Sequence, residues 1–346
     1  MRSDTSHFSV HRFGAVAIVI ASAIAFCARD ARAERSTLSP AVGYDYSEVS
    51  SGRSLAMGGA MRALGNATTA VYSNPANIAL TRVYHLQALA AIWPEARRQS
   101  YGATAVDSLT SRLAGGVGAH YSFMDPDGVD RKWTDVRLAL ALPFSDKFYA
   151  GLSGRYLKLR QQGGFRLNNA IGGPTDPVAA GLRDESIVNN FSFDAGITAR
   201  PTPSVAIGLV GSNLANPGHG FLPTTLGGGV GFGTRDFTIE ADVVGDFSSY
   251  THADGSSRST VRAMLGFEYL AADHYPLRVG YRYDQGAKSH AACGGLGYID
   301  PQFSVDLSLR RTLAGPSESV PSTTVVIELQ YFLESSGLTR TPADME

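Results

Sequence analysis

From Val83 to Leu333 the sequence keeps a period of two, and that period limits the fold more than anything else in the chain. In Phe303 to Arg310 one face reads Phe, Val, Leu, Leu and the other Ser, Asp, Ser, Arg. Leu277, Val279, Tyr281 and Tyr283 oppose Arg278, Arg282 and Asp284. Val261, Ala263, Leu265, Phe267 and Tyr269 oppose Arg262 and Glu268. Side chains of a strand alternate between its two faces, so each run has one apolar and one wet side. About fourteen such runs are expected, at 83–93, 99–107, 112–122, 131–142, 147–160, 187–199, 204–213, 225–234, 236–246, 259–270, 275–284, 290–299, 302–311 and 323–333.

A soluble sandwich and a membrane barrel share this signal. Three features favour the barrel. The strand number is even, and the links alternate in length, short at 142–147, 199–204 and 270–275, long at 161–186, 214–224 and 312–322. Short turns on one side and long loops on the other are the outer-membrane arrangement. Aromatic residues near strand ends (Trp93, Trp133, Tyr275, Tyr331, Phe332) are expected to form interface girdles. The third is export. Residues 1–33 read as a signal peptide, with Arg2, His11 and Arg12 ahead of an apolar Phe13–Ala28 and cleavage after Ala31-Arg32-Ala33. The parity slips near Tyr156-Leu157, where a bulge, or emergence from the membrane, is expected.

A net charge of -1 gives no sign of a nucleic-acid partner. Cys27 leaves with the leader, so Cys293 has no partner for an intrachain disulfide. The eight His show no metal spacing, no Gly-x-Ser-x-Gly elbow is present, and Gly229–Gly233 precedes a turn and a strand rather than a helix. No enzyme activity, metal or cofactor is expected.

Ahead of the strands, Gly52–Leu80 does not alternate: GRSLAMGGAMRALGNATTAVYSNPANIAL. It is rich in small residues, with Gly58-Gly59 allowing tight bends and Asn74-Pro75 favouring a turn. Short helices are expected over Ala56–Ala63 and Thr68–Ala79. The run Met57-Gly58-Gly59-Ala60 followed by Asn74-Pro75-Ala76 resembles the N-terminal segment of the FadL/TodX-type outer-membrane transport superfamily, which includes PorV-like relatives. The resemblance implies that Met57, Gly58, Gly59, Asn74, Pro75 and Ala76 belong to a plug, or hatch, that closes the barrel lumen. The expected division is a leader at 1–33, an extension and plug at 34–82, a barrel at 83–333 and a polar tail at 334–346.

The resemblance also implies a kinked third strand that opens a lateral gate. Gly115, Gly116 and Gly118 are the candidates; the other readings are that they make room for a bulky plug side chain or simply belong to a Gly-rich chain. Ligand capture by external loops falls on Phe165 and Leu182 in one loop and on Leu214, Phe221 and Leu222 in another. The charges Glu240, Asp242, Arg262, Glu268, Arg278, Arg282, Asp306, Arg310 and Glu328 share the wet face. Such residues either filter an open pore or pair with each other and with the plug. The expected protein is an all-β transmembrane antiparallel barrel with a lumenal plug, in the outer membrane of a Gram-negative bacterium. It passively takes up hydrophobic small molecules such as long-chain fatty acids and releases them sideways into lipid. The rival readings are a PorV-like scaffold with a secretion-system protein partner and a structural barrel.

Overall fold

The computed structural model describes residues 51–124, 130–162, 165–167, 174–177, 185–215, 222–251, 257–315 and 322–333. The expectations for residues 1–50 and for 334–346 lie outside these. Fourteen of the described strands close into one antiparallel barrel. They are β1 (Tyr84–Trp93), β2 (Arg98–Asp107), β3 (Ala114–Met124), β4 (Arg131–Ser145), β5 (Phe148–Gln161), β6 (Glu185–Thr202) and β7 (Val205–Ser212), then β8 (Thr225–Gly233), β9 (Phe237–Thr251), β10 (Ser257–Ala271), β11 (Tyr275–Asp284), β12 (Ser289–Ile299), β13 (Phe303–Ala314) and β14 (Thr323–Phe332). Each strand pairs with its neighbours in the chain, and β1 closes on β14, with Leu86 opposite Tyr331 and Ile92 opposite Val325. A separate short ribbon pairs Phe165–Leu167 with Pro174–Pro177 between β5 and β6.

The wall is apolar outside and polar inside. Outward positions carry Leu152 at 62% exposure, Val279 at 58% and a belt of similar Leu, Val, Ile and Phe. Inward positions bury Glu240, Asp242, Arg262, Arg278, Asp306 and Glu328. A soluble sandwich has the reverse polarity. An apolar surface of this extent is stable only against lipid or another apolar partner. Aromatic contacts run along the short-turn edge, including Phe144 with Phe148, Phe232 with Phe237, Tyr275 with Tyr298 and Tyr298 with Phe303.

Two expectations about the wall change. Trp93 and Trp133 do not sit in a girdle; both point inward and are 1% and 3% exposed. Phe332 also leaves the girdle and packs on His85 with centroids 4.4 Å apart. Nor does β5 bulge at Tyr156-Leu157. Its register to β4 and β6 runs through both residues, and the shift on the β6 side comes later, between Leu159 and Arg160. Leu157 and Leu159 keep the inward parity of Ser153 and Arg155. The parity stays intact because these apolar side chains belong to the lumen.

Inside the barrel, residues 51–80 fold into α1 (Gly52–Ala56), α2 (Ala67–Ser73) and a 3-10 turn (Pro75–Leu80). Helix α1 starts where the Ser51 hydroxyl accepts the Ser54 amide at 3.0 Å. It ends early because Gly58 and Gly59 take φ of +70° and +90°, so the helix expected over Ala56–Ala63 does not form. The second expected helix is divided at Asn74-Pro75, since proline brings no amide and restricts the residue before it.

Candidate functional site

The segment 51–80 is the best-buried stretch among the described residues. Leu55, Ala56, Met57, Ala60, Met61, Ala63, Ala70 and Ala76 have essentially no exposed surface. Strand β9 holds it by two carboxylates. Asp242 Oδ2 accepts the amides of Met61 and Arg62, each at 3.0 Å, and the Arg62 guanidinium at 3.1 Å. Glu240 accepts the amides of Ala63 at 2.6 Å and Leu64 at 3.0 Å. Four consecutive backbone donors are thereby satisfied inside the barrel, two of them fully buried. Burial lowers the tendency of Arg62 to stay charged, and Asp242 opposes that effect.

A second anchor lies across β10, β11, β13 and β14. Arg53 meets Glu268 at 2.9 Å, Glu268 meets Arg278 at 2.5 Å, and Arg278 reaches Asp306. The Gly52 amide donates to Glu328. Arg262 pairs with Asp246 at 3.6 Å and Arg282 with Asp284 at 3.5 Å. Arg310 donates to the Thr324 hydroxyl at 3.2 Å. The lumenal charges are therefore paired with each other and with segment 51–80.

Met57 packs between β10 and β11, its backbone close to Gly266 and Gly280. Gly58 presses on the Tyr281 carbonyl, where a Cβ would come within 2.8 Å. Asn74 is a three-way clamp. Its amide donates to the Arg62 carbonyl at 2.8 Å and to Thr198 at 3.0 Å, and its oxygen accepts the Ala76 amide at 3.2 Å. Asn77, missed from the sequence, completes this clamp, donating to the Arg62 carbonyl at 3.1 Å and accepting from the Thr198 hydroxyl. Pro75 and Ala76 lie against Gly151 of β5.

The β3 glycines split by face. Gly115 points out toward Leu140. Gly116 and Gly118 point in, where a Cβ would lie 2.6 Å from Val71 and 2.0 Å from the Tyr72 hydroxyl. Both make room for segment 51–80. The wall here is closed: β3 pairs residue for residue with β2 over 115–124 and with β4 over 114–124. Tyr72 bonds Thr104 at 3.3 Å and sits edge-on to His120, with the Arg137 guanidinium 5.1 Å from its ring. Burial pushes its phenol pKa up.

Above this layer, on the long-loop side, the lumen turns apolar. Met124, Trp133, Leu157, Leu159 and Val188 form a buried cluster roofed by Leu222. The charged layer beneath it joins Asp135 to Arg155 at 2.6 Å and Arg137 to Asp194 at 3.2 Å. Of the capture candidates, Leu222 lies in this cluster. Leu214 folds instead onto the outer side of β7, over Gly211, and is 42% exposed. Phe165 falls in the short ribbon, and Leu182 and Phe221 lie outside the described residues. On the turn side a cavity of about 310 Å³ reaches up to Arg53, Glu268, Arg278 and Asp306. Among the described residues no three His, Cys, Asp or Glu side chains converge as a metal site.

Solved structures share this architecture. The CymD monoaromatic hydrocarbon channel superposes with a TM-score of 0.63 at 17% identity, over 82% of this chain and 97% of that one. The Ralstonia pickettii toluene transporter TbuX gives 0.56 at 16% identity, over 82% and 98%. A Pseudomonas aeruginosa FadL homologue gives 0.54 at 15% identity, over 81% and 96%. No family model matches the chain, and no curated protein sequence matches it. At these identities the likeness establishes the fold, the fourteen-stranded barrel of FadL/TodX-type outer-membrane proteins.

Proposed function

We propose that the protein is an outer-membrane channel for hydrophobic small molecules, closed by a plug formed from residues 51–82. The observation that carries this reading is the apolar cluster of Met124, Trp133, Leu157, Leu159, Val188 and Leu222 on the loop side of the lumen, above a layer of paired charges. An apolar ligand arriving from the loop side gains by displacing Leu222 and leaving water. The way straight down crosses the paired charges around Arg137, Arg155 and the plug, which offer such a ligand nothing. Release sideways into lipid avoids that barrier. Strand β3 is the exit in this proposal: Val71 and Tyr72 fill the hollow at Gly116 and Gly118, and their withdrawal leaves a stretch of β3 with no lumen-facing side chain, where the strand can kink inward. Hydrocarbon and toluene transport by the structural relatives CymD and TbuX fit this ligand class.

The test is uptake of labelled toluene and, separately, of a labelled long-chain fatty acid by cells with the gene deleted. The gene is restored intact, as Leu157→Asn/Leu159→Asn, or lacking Asn74–Ala76. Uptake of at least one compound should fall on deletion and return only with the intact form. Unchanged uptake of both compounds on deletion sinks the transport reading, and a stable co-purifying secretion protein would then favour the scaffold.

A further inference from the structure

His120 stands on the lumenal face of β3, two residues beyond Gly118. Its imidazole meets the Tyr72 ring edge-on, with centroids 4.8 Å apart. It projects over Gly102 of β2, where a Cβ would lie 2.8 Å from Nε2. A glycine thus makes the room for this ring, as Gly118 does for Tyr72. The side chain is partly buried. Among the described residues no hydrogen bond reaches either ring nitrogen. A neutral imidazole is held here by ring contacts alone.

A charged imidazole fits less well. Among the described residues the charged groups that face it are Arg98 from β2, Asp135 and Arg137 from β4 and Arg155 from β5. The Tyr72 phenol is the titratable group that α2 brings. Asp135 lies opposite His120 in register. Its oxygens already accept from Arg155 at 2.6 Å and from Arg137 at 3.5 Å. Asp194, the next carboxylate, accepts from Arg137 at 3.2 Å and from the Asn213 amide at 2.7 Å. An imidazolium here either draws Asp135 away from a guanidinium or stays unpaired, and both cost free energy inside the barrel. Competition for Asp135 bears on the plug directly, because Arg137 also donates to the Tyr72 carbonyl at 3.4 Å.

We propose that protonation of His120 unseats Tyr72 and opens the exit at β3. The switch rests on the exit that the proposed function places there. Withdrawal of Tyr72 uncovers one edge of the imidazole, so the charged ring gains water that the closed arrangement denies it. A group that binds its proton better in one of two states draws the equilibrium toward that state as pH falls. Histidine changes charge between about pH 5 and 8, so acid favours the open exit and alkali the closed one. A single proton taken up on opening can shift that balance by up to about tenfold per pH unit.

The test is maleimide labelling in proteoliposomes at about pH 5 and about pH 8. The chain carries Val71→Cys, with Cys27 and Cys293 changed to alanine. Val71 is 1% exposed and seated against Gly116, so its thiol reacts only when the hollow opens. Its rate is divided by that of Ser111→Cys, on the exposed turn before β3, which cancels the pH dependence of the thiol reaction. The ratio should rise about tenfold or more from the alkaline to the acid condition. His120→Gln should hold it near the alkaline value at both, and His120→Lys, charged throughout, near the acid value. A ratio that does not change with pH, or that changes as much in His120→Gln, overturns the proposal. The first of these outcomes needs no variant at His120, so it decides even if both variants fail to fold. Folding is checked by the shift of the heated band on a denaturing gel. Labelling uses no substrate, so it judges the switch separately from the uptake assay that judges transport.

Discussion

The lumenal segment meets the barrel in two different ways. Along β9–β14 carboxylates hold it, beside apolar packing of Met57 and Ala60: Glu240 and Asp242 take the amides of Met61 to Leu64, Glu268 takes Arg53, and Glu328 takes the Gly52 amide. Along β2–β4 apolar packing dominates, with two hydrogen bonds at Tyr72 beside it: Val71, Tyr72 and Ile78 pack on Val106, Ala114, Ala139 and Ala141. The two sides respond differently to a hydrophobic ligand. Removing one member of a buried ion pair costs about 3–5 kcal/mol, because the other charge is left stranded. An apolar contact parted by an apolar ligand is replaced by another of the same kind. The asymmetry predicts that the polar side acts as the hinge and the apolar side as the seam.

The hinge is the place to break that contrast. Glu240→Ala/Asp242→Ala strands Arg62 and four buried amides, so the segment should lose about 3–5 kcal/mol of its hold on the wall. In planar bilayers the variant should conduct ions where the parent is closed. Cys293, buried on an inward position of β12, should react faster with a maleimide. A variant as tight and as slow to label as the parent refutes the hinge. The seam is tested by Gly118→Leu, whose side chain would occupy the space of the Tyr72 ring. Overpacking of this kind costs about 1–3 kcal/mol. Tyr72→Ala in the same chain should recover most of it, a coupling that two independent sites would not show. Heat-shift midpoints of the four proteins in that cycle measure it.

Much of this architecture is written in the alternation itself. Each expected strand appears, with ends displaced by at most five residues, because the pleat forces every second side chain to one face and lipid rewards only one choice. The departures occur where lumen residues are apolar. Leu157 and Leu159 made β5 look out of step, and Trp93 and Trp133 looked like girdle aromatics. A period of two locates a side chain on one of two faces, but only the neighbouring strands say which face is the lumen. The Gly58-Gly59 and Asn74-Pro75 turns were legible in residue type, whereas the partners of Asn74 and Asn77 were not. Thr198 lies far away in sequence and meets them only after the barrel closes, while the Arg62 carbonyl, 12 and 15 residues back, is brought to them by the fold of the segment itself.

The smallest expected effect comes from two leucines that the sequence places together. Leu214 and Leu222 flank one external loop, yet they end on opposite sides of the wall. The Leu214 amide is held by the Phe193 carbonyl at 2.9 Å, and its side chain then turns outward over Gly211. Asn213, with φ of +53°, makes that turn, and its amide group donates to the Pro223 carbonyl at 2.9 Å, drawing the returning chain inward toward Leu222. Leu214→Ala should therefore change stability by no more than about 0.5 kcal/mol, as for most half-exposed positions. It should also leave hydrocarbon uptake at the parent rate, whereas Leu222→Asn should lower it. A loss of uptake in Leu214→Ala as large as in Leu222→Asn would place capture on the outer wall and move the ligand's entry from the lumen mouth to the lipid face of β7.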